Sequence, residues 1–281
     1  MKRIIRSRWF RLGVFTVEAV GVLIIGVLVY LGQFLFVPDL TALEEGDPAP
    51  TAFMLYRQEE AVAAGKKFKL RHQWVPYKKI SPLLRRAVVL TEDGLFWEHE
   101  GFDVEAIRTA LETDMKEGRP KFGGSTISQQ LVKNLYLSPS KNPLRKIKEA
   151  LITWRLERTL SKKRILELYL NSIEWGDGIF GVEAAARHYF GVSAANLSLE
   201  QVARLAVVIP NPRKMKANGD GRYVTKRSRW VSRILVRQDP SLAPPPVVEE
   251  APPAEPVPAE AAPLTGEAEP ETEEEIIDDR P

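Results

Sequence analysis

No cysteine occurs in the 281 residues, which removes disulfides, thiolate metal sites and cysteine nucleophiles together, while leaving the redox compartment open. There is no internal repeat, and the length suits one substantial core better than two. Aromatic residues are absent after Leu242, where Pro, Ala and Glu dominate residues 243–275. Such a segment buries too little apolar surface to offset its ordering entropy, so residues 241–281 are predicted to form a disordered, solvated tail. Bases are scarce there too: Arg280 stands against twelve acids, a charge of −11, which leaves +14 on residues 1–240. A basic body calls for an anionic partner, whether nucleic acid, anionic lipid or a phosphorylated substrate.

One long uncharged run is present, Ala19 to Val37. As a helix it would span about 28 Å at ~1.5 Å per residue, close to a hydrocarbon core of ~30 Å. It exceeds a signal-peptide core and no small-x-small cleavage site follows before Pro38, so a membrane anchor is the expectation. Lys2, Arg3, Arg6, Arg8 and Arg11 precede it, which keeps residues 1–18 in the cytoplasm and sends everything after Pro38 outside. That location disfavours DNA as the anionic partner.

Residues 38–74 form a juxtamembrane segment without a long periodic run, read as strand or loop. Helix signals then crowd residues 75–240. Ser81 is an N-cap candidate with Pro82 at the first helical position, and a second helix runs from Asp103 to about Met115. Asn142 to Leu160 forms a third, with Ile147, Leu151 and Trp154 at i, i+4, i+7, and Lys162 to Trp175 contains a fourth. Ser198 and Gln201 make a capping box for a helix that Pro210 ends. The fold class is mainly α.

Three stretches concentrate chemistry, and each alone has an ordinary reading. Glu92-Asp-Gly-Leu-Phe-Trp-Glu-His-Glu-Gly101 crowds acids and a histidine at a helix end, where charges are commonly solvated caps. Gly123-Gly-Ser-Thr-Ile-Ser-Gln-Gln-Leu-Val-Lys-Asn134 is a glycine-rich turn entering a helix, able to offer N–H groups to an anion or simply well capped. Arg145-Lys-Ile-Lys-Glu149 places Arg145 and Glu149 on one helix face, a commonplace ion pair.

In combination, and with Lys162, Ile165, Leu166, Glu167, Tyr169, Leu170 and Asn171 following, the blocks resemble the family 51 glycosyltransferases. That family's signature runs ED-x-x-F-x-x-H-x-G, GGST-I-[TS]-QQ, RK-x-x-E and K-x-x-ILE-x-YLN, and every fixed position is matched here. Asn171-Ser-Ile-Glu-Trp-Gly-Asp-Gly-Ile-Phe-Gly181 and Val208-Ile-Pro-Asn-Pro212 are similar to the monofunctional peptidoglycan transglycosylases of Gram-negative bacteria. The resemblance covers roughly residues 75–238. It implies a lysozyme-like, two-lobed domain of head and jaw behind one N-terminal transmembrane helix, on the periplasmic side of the inner membrane. It also implies polymerisation of lipid II into β-1,4 glycan strands with release of undecaprenyl pyrophosphate and inversion at the anomeric carbon.

By the same match, Glu92 is the base for the acceptor hydroxyl. Glu149 lies on the donor side, as a general acid or as the organiser of the pyrophosphate's cations. Lys133, Lys141 and Arg145 are the candidate cations. Ser125, Thr126, Gln129, Gln130 and Asn134 match cleft positions, and Asp93, Phe96 and His99 match positions around the base, with an ordering role for His99 an equal fit. Glu167, Tyr169 and Asn171 are expected to hold the head lobe together. No cofactor is required; Mg²⁺ or Mn²⁺ could bridge the pyrophosphate, though no ligand set specifies one. Expected partners are lipid II, the growing strand and membrane lipid, with division or elongation proteins as candidates for the helix or tail.

Ser138 and Lys141 form an S-x-x-K match to penicillin-binding domains, but no S-x-N or K-T-G follows and the tail is too short for such a domain. Two other readings compete. A muramidase would use a Glu on this type of fold but has no call for the cations or the anchor. An envelope scaffold would not need Glu92 and Glu149.

Overall fold

The computed structural model describes residues 20–26, 32, 38–118, 124–137, 139 and 143–243. Residues 20–26 are helical. Among the described residues no helix is long and apolar enough to cross a membrane. Most of the expected span 19–37, the basic stretch 1–18, Ser138, Lys141 and the tail beyond Ala243 lie outside them. The described residues up to Leu242 belong to one compact unit.

The described helices are α1 (Ala52–Ala63), α2 (Pro82–Glu92), α3 (Val104–Glu117), α4 (Ile127–Tyr136), α5 (Pro143–Thr159), α6 (Lys162–Ser172), α7 (Val182–Phe190), α8 (Leu199–Val208) and α9 (Arg222–Gln238). A small sheet comprises β1 (Arg71–His72), β2 (Glu174–Gly176) and β3 (Ile179–Phe180) in the order β1-β3-β2. β1 runs parallel to β3 with Arg71 opposite Ile179 and His72 opposite Phe180; β2 runs antiparallel to β3.

Local chemistry accounts for the helix starts. Thr126 accepts from the Gln129 N–H at 3.2 Å while Gln129 Oε1 accepts from the Thr126 N–H at 3.1 Å, and Ser198 with Gln201 repeats the device on α8. The Asp103 carboxylate accepts from the Ala106 N–H at 2.8 Å and starts α3. Pro82 opens α2 as expected, but the Ser81 side chain makes no capping bond there. Pro lacks an N–H and presets φ, so this helix start needs less from its cap.

Helix α4 is the centre of the packing, in contact with α1, α5 and α6. Ile127, Leu131 and Val132 are wholly buried on it, as are Ile165, Leu168 and Tyr169 on α6. Each such apolar side chain contributes roughly 1.5–3 kcal/mol. Elsewhere α8 packs on α2 and on α9, whose buried Val224, Ser228, Val231 and Leu235 form one stripe.

Two expectations need correction, and one helix boundary is set. The 38–74 segment, read as strand or loop, contains α1, which buries Met54 behind a Thr51 cap. Its upstream part is also tied down, since Arg164 donates to Leu43 O at 2.8 Å and Gly46 O at 2.6 Å. Lys162 to Trp175 contains its helix as expected; the helix ends at Ser172 and gives way to β2, whose residues are buried on both faces. Finally, the apolar stripe that identified α5 faces outward: Ile147 is 54% and Trp154 47% exposed, whereas Ile152 and Leu156 are the wholly buried residues.

Candidate active site

Glu92 is the last residue of α2, half-buried, and it accepts from Gln130 Nε2 at 3.0 Å. The other end of that amide is engaged too, for Gln130 Oε1 accepts from the Tyr169 hydroxyl at 3.0 Å. Burial pushes the Glu92 carboxyl above its ordinary value and Asp93 adds to this, against the opposing pull of the Gln130 bond and of Lys133. A carboxylate raised in this way is a stronger base than a free one.

The neighbouring Asp93 points the other way. It is buried and accepts from His99 Nε2 at 2.9 Å and from the Ile127 N–H at 2.9 Å. His99 Nδ1 in turn accepts from the Gly101 N–H at 3.0 Å, which assigns the proton to Nε2 and leaves the ring a neutral strut. Thr126 donates to Gly101 O at 2.7 Å, so the loop after Glu92 is stitched to the start of α4. Gly101 has φ +93°, and a Cβ there would stand 3.0 Å from both Glu157 Cγ and Thr153 Cγ2. Phe96 is wholly buried beneath this loop, 4.7 Å from the Lys162 ammonium.

Glu149, on α5, is only 3% exposed. Its Oε2 accepts from Arg145 at 3.0 Å, and its Oε1 contacts Lys146. Lys146 also reaches to 3.4 Å from Ser125 Oγ, which ties α5 to the glycine-rich turn. Lys133 lies on α4. Burial lowers its ammonium pKa, Glu149 and Glu92 raise it, and Arg145 and Lys146 lower it further. One ammonium therefore feels both glutamates at once.

A small cleft of about 150 Å³ borders Glu92, Asp93, Asp103, Gly124, Ser125 and Thr126. Of the expected cleft residues, Ser125 and Thr126 line this cleft and Gln130 bonds Glu92. Thr126 and Gln129 are spent on capping, and Asn134 is buried with its amide on Gln130 O at 2.8 Å. Glu167 accepts from the Tyr77 N–H at 3.1 Å and Asn171 exchanges bonds with the Val75 backbone at 3.0 and 2.9 Å, both tying the upstream segment to α6.

Two residues gain a part that the motif reading did not give them. Lys146 was legible as an i, i+3 neighbour of Glu149, passed over for the i, i+4 partner Arg145. Tyr169 does more than pack, because it holds the glutamine that holds Glu92. For the Mg²⁺ or Mn²⁺ considered at a pyrophosphate, the donor set fits poorly: both Glu149 oxygens are already engaged by cations, and no group of three His, Cys, Asp or Glu side chains is gathered among the described residues.

The family described as Transglycosylase matches residues 58–236, well over half the chain. The chain belongs to the transglycosylase family. It is 48% identical over 204 residues to the biosynthetic peptidoglycan transglycosylase of Nitrosospira multiformis, covering 73% of this chain and 89% of that protein. It is 51% identical over 189 residues to the one of Aromatoleum aromaticum, covering 67% and 82%. As a transglycosylase it is an enzyme of glycosyl transfer, and the four motif blocks all fall within the matched region. The match starts upstream of residue 75 and takes in part of α1, in keeping with the packing of that helix on α4.

Proposed function

We propose that this transglycosylase polymerises lipid II on the outer face of the bacterial inner membrane, held there by the helix expected at 19–37. Glu92 takes the proton from the 4-hydroxyl of an acceptor GlcNAc. That oxygen forms a bond to the anomeric carbon of the donor MurNAc, while the bond from that carbon to the pyrophosphate oxygen breaks with its electron pair leaving on undecaprenyl pyrophosphate. Attack opposite the leaving group turns an α-linked donor into a β-1,4 product.

The observation that supports the reading is the link at Ser125, which borders the Glu92 cleft and stands 3.4 Å from Lys146, itself in contact with Glu149. Departing pyrophosphate gathers charge that pre-placed cations stabilise without reorganisation. Lys133, Arg145 and Lys146 supply them, and Glu149, engaged by two of the three, is better suited to organising these cations than to donating a proton. The same cluster disfavours a muramidase, whose leaving group is a neutral sugar hydroxyl.

The test is polymerisation of lipid II by the purified full-length protein, by its Glu92→Gln variant and by its Glu149→Gln variant. Polymer from the wild type and a loss of at least a hundredfold in Glu92→Gln is the expected result, given the ~10²–10⁴-fold typical of general acid–base catalysis. Equal rates from wild type and Glu92→Gln would remove the proposed base.

A further inference from the structure

A second concavity, of about 640 Å³, lies apart from the cleft, and neither Glu92 nor Glu149 borders it. One wall is the face of α1 that carries Arg57, Glu60 and Ala61, and the others come from residues 66–71, the β2–β3 turn, α7 and residues 212–218. Seven lysines and arginines line it against two carboxylates, Glu60 and Asp177.

These cations fall into two kinds. Arg57 is fixed by Glu174 at 2.9 Å and Glu60 at 2.9 Å, and Arg213 by Glu60 at 2.8 Å and Asp177 at 3.2 Å. Arg71 leans on His188 Nδ1. In contrast Lys66, Lys67, Lys69 and Lys216 are exposed and make no ion pair among the described residues. A scaffold of satisfied arginines thus presents unsatisfied ammonium groups into one hollow. Burial first, then Arg71 and Lys216, hold the His188 ring at that wall below its ordinary pKa.

We propose that this cavity binds the carboxylates of the peptides borne by the glycan strand, guiding the polymer beside the catalytic cleft. The inference rests on the lipid II reading above. Strand is favoured over bilayer by shape and by orientation. A bilayer meets convex surface, whereas this site is concave, and the exposed apolar residues of α1, Leu55 and Val62, lie at i and i+7 on the opposite side of the helix from the cavity wall. Reach is favoured by connectivity, since α1 packs directly on α4, which carries Gln130 and Lys133. Lysines suit the task, being mobile point charges that follow a carboxylate on a flexible chain.

The experiment measures binding of preformed, uncrosslinked strands to full-length protein in detergent, with the peptides either intact or removed by an amidase. The variant replaces Lys66, Lys67, Lys69 and Lys216 with Ser, and a companion replaces them with Arg. Peptide-bearing strands are expected to bind the Ser variant about tenfold more weakly than wild type, the combined effect of several exposed charges. The Arg companion is expected to bind like wild type, and peptide-free strands are expected to bind all three alike. Equal binding of peptide-bearing strands to wild type and the Ser variant would overturn the proposal. So would an equal loss for peptide-free strands. Because the strands are preformed, failure of the enzyme to polymerise lipid II would count against the proposed function alone.

Discussion

Tyr169 decides which way the Gln130 amide faces: its hydroxyl occupies the Oε1 end at 3.0 Å, which leaves Nε2 to donate to Glu92. The phenol is fully buried among carboxylates, and burial first, then Glu92 and Asp93, raises its pKa well above the ordinary value, so it stays a donor across the working pH range. Tyr169→Phe keeps the packing and frees the amide to turn. Polymerisation is expected to fall roughly tenfold, the equivalent of ~1.4 kcal/mol, with the folded state retained. The distinguishing readout is the acid limb of the pH–rate profile. Losing the Gln130 bond removes a stabiliser of ionised Glu92, so that limb moves to higher pH; an unmoved limb would reduce Tyr169 to packing.

The acid limb itself follows from Glu92. With Glu92 as the proposed base, whose pKa is raised by burial, polymerisation is expected to fade as pH drops through a value above the ordinary glutamate range. Lys133→Met removes an attraction that lowers this pKa and is expected to shift the limb further upward. Rate against pH for both proteins checks the order.

The same shift has a sign for stability. A carboxyl whose folded pKa lies above its unfolded one opposes folding once the unfolded chain ionises, and the penalty is relieved as pH falls below the folded value. Glu92→Gln removes it and still offers an oxygen to Gln130. The variant is expected to be more stable than wild type at neutral pH, and level with it in acid. Denaturant titration of both proteins at two pH values is the check.

Asp93 is a different kind of acid. It ends three hydrogen bonds from His99 and the Ile127 N–H, so Asp93→Ala orphans a buried ring and a helix-start N–H together. A loss of about 2–4 kcal/mol is expected, and with it a loss of activity that cooling or ligand does not restore in full. Gly101→Ala attacks the same loop from the backbone, through φ +93° and the close approach to Thr153 and Glu157, and is expected to cost about 1–3 kcal/mol. Urea midpoints for the two variants measure both effects.

How much of this was legible in the residues depended on the range of the interactions. Helix starts are local, and Pro82, Asp103, Thr126 with Gln129, and Ser198 with Gln201 mark theirs within one residue of where the helices begin. The two glutamates came from the family motif, since neither Glu92 at a helix end nor Glu149 beside Arg145 differs locally from a solvated charge. The paths that make them special cross 38 residues from Gln130 to Glu92 and 39 from Tyr169 to Gln130, beyond any periodicity. Helix α1 escaped for a related reason: Arg57, Gln58, Glu59 and Glu60 break its apolar pattern, and its support comes from α4 and from Glu174, 117 residues away.

Because the residue after Glu92 is bolted through its carboxylate to the first turn of α4, the proposed base has no position of its own until two distant stretches of chain have met. Catalysis should therefore vanish in step with tertiary structure along a urea titration, with Trp97 fluorescence and turnover sharing one midpoint, and no partly opened form should retain residual turnover.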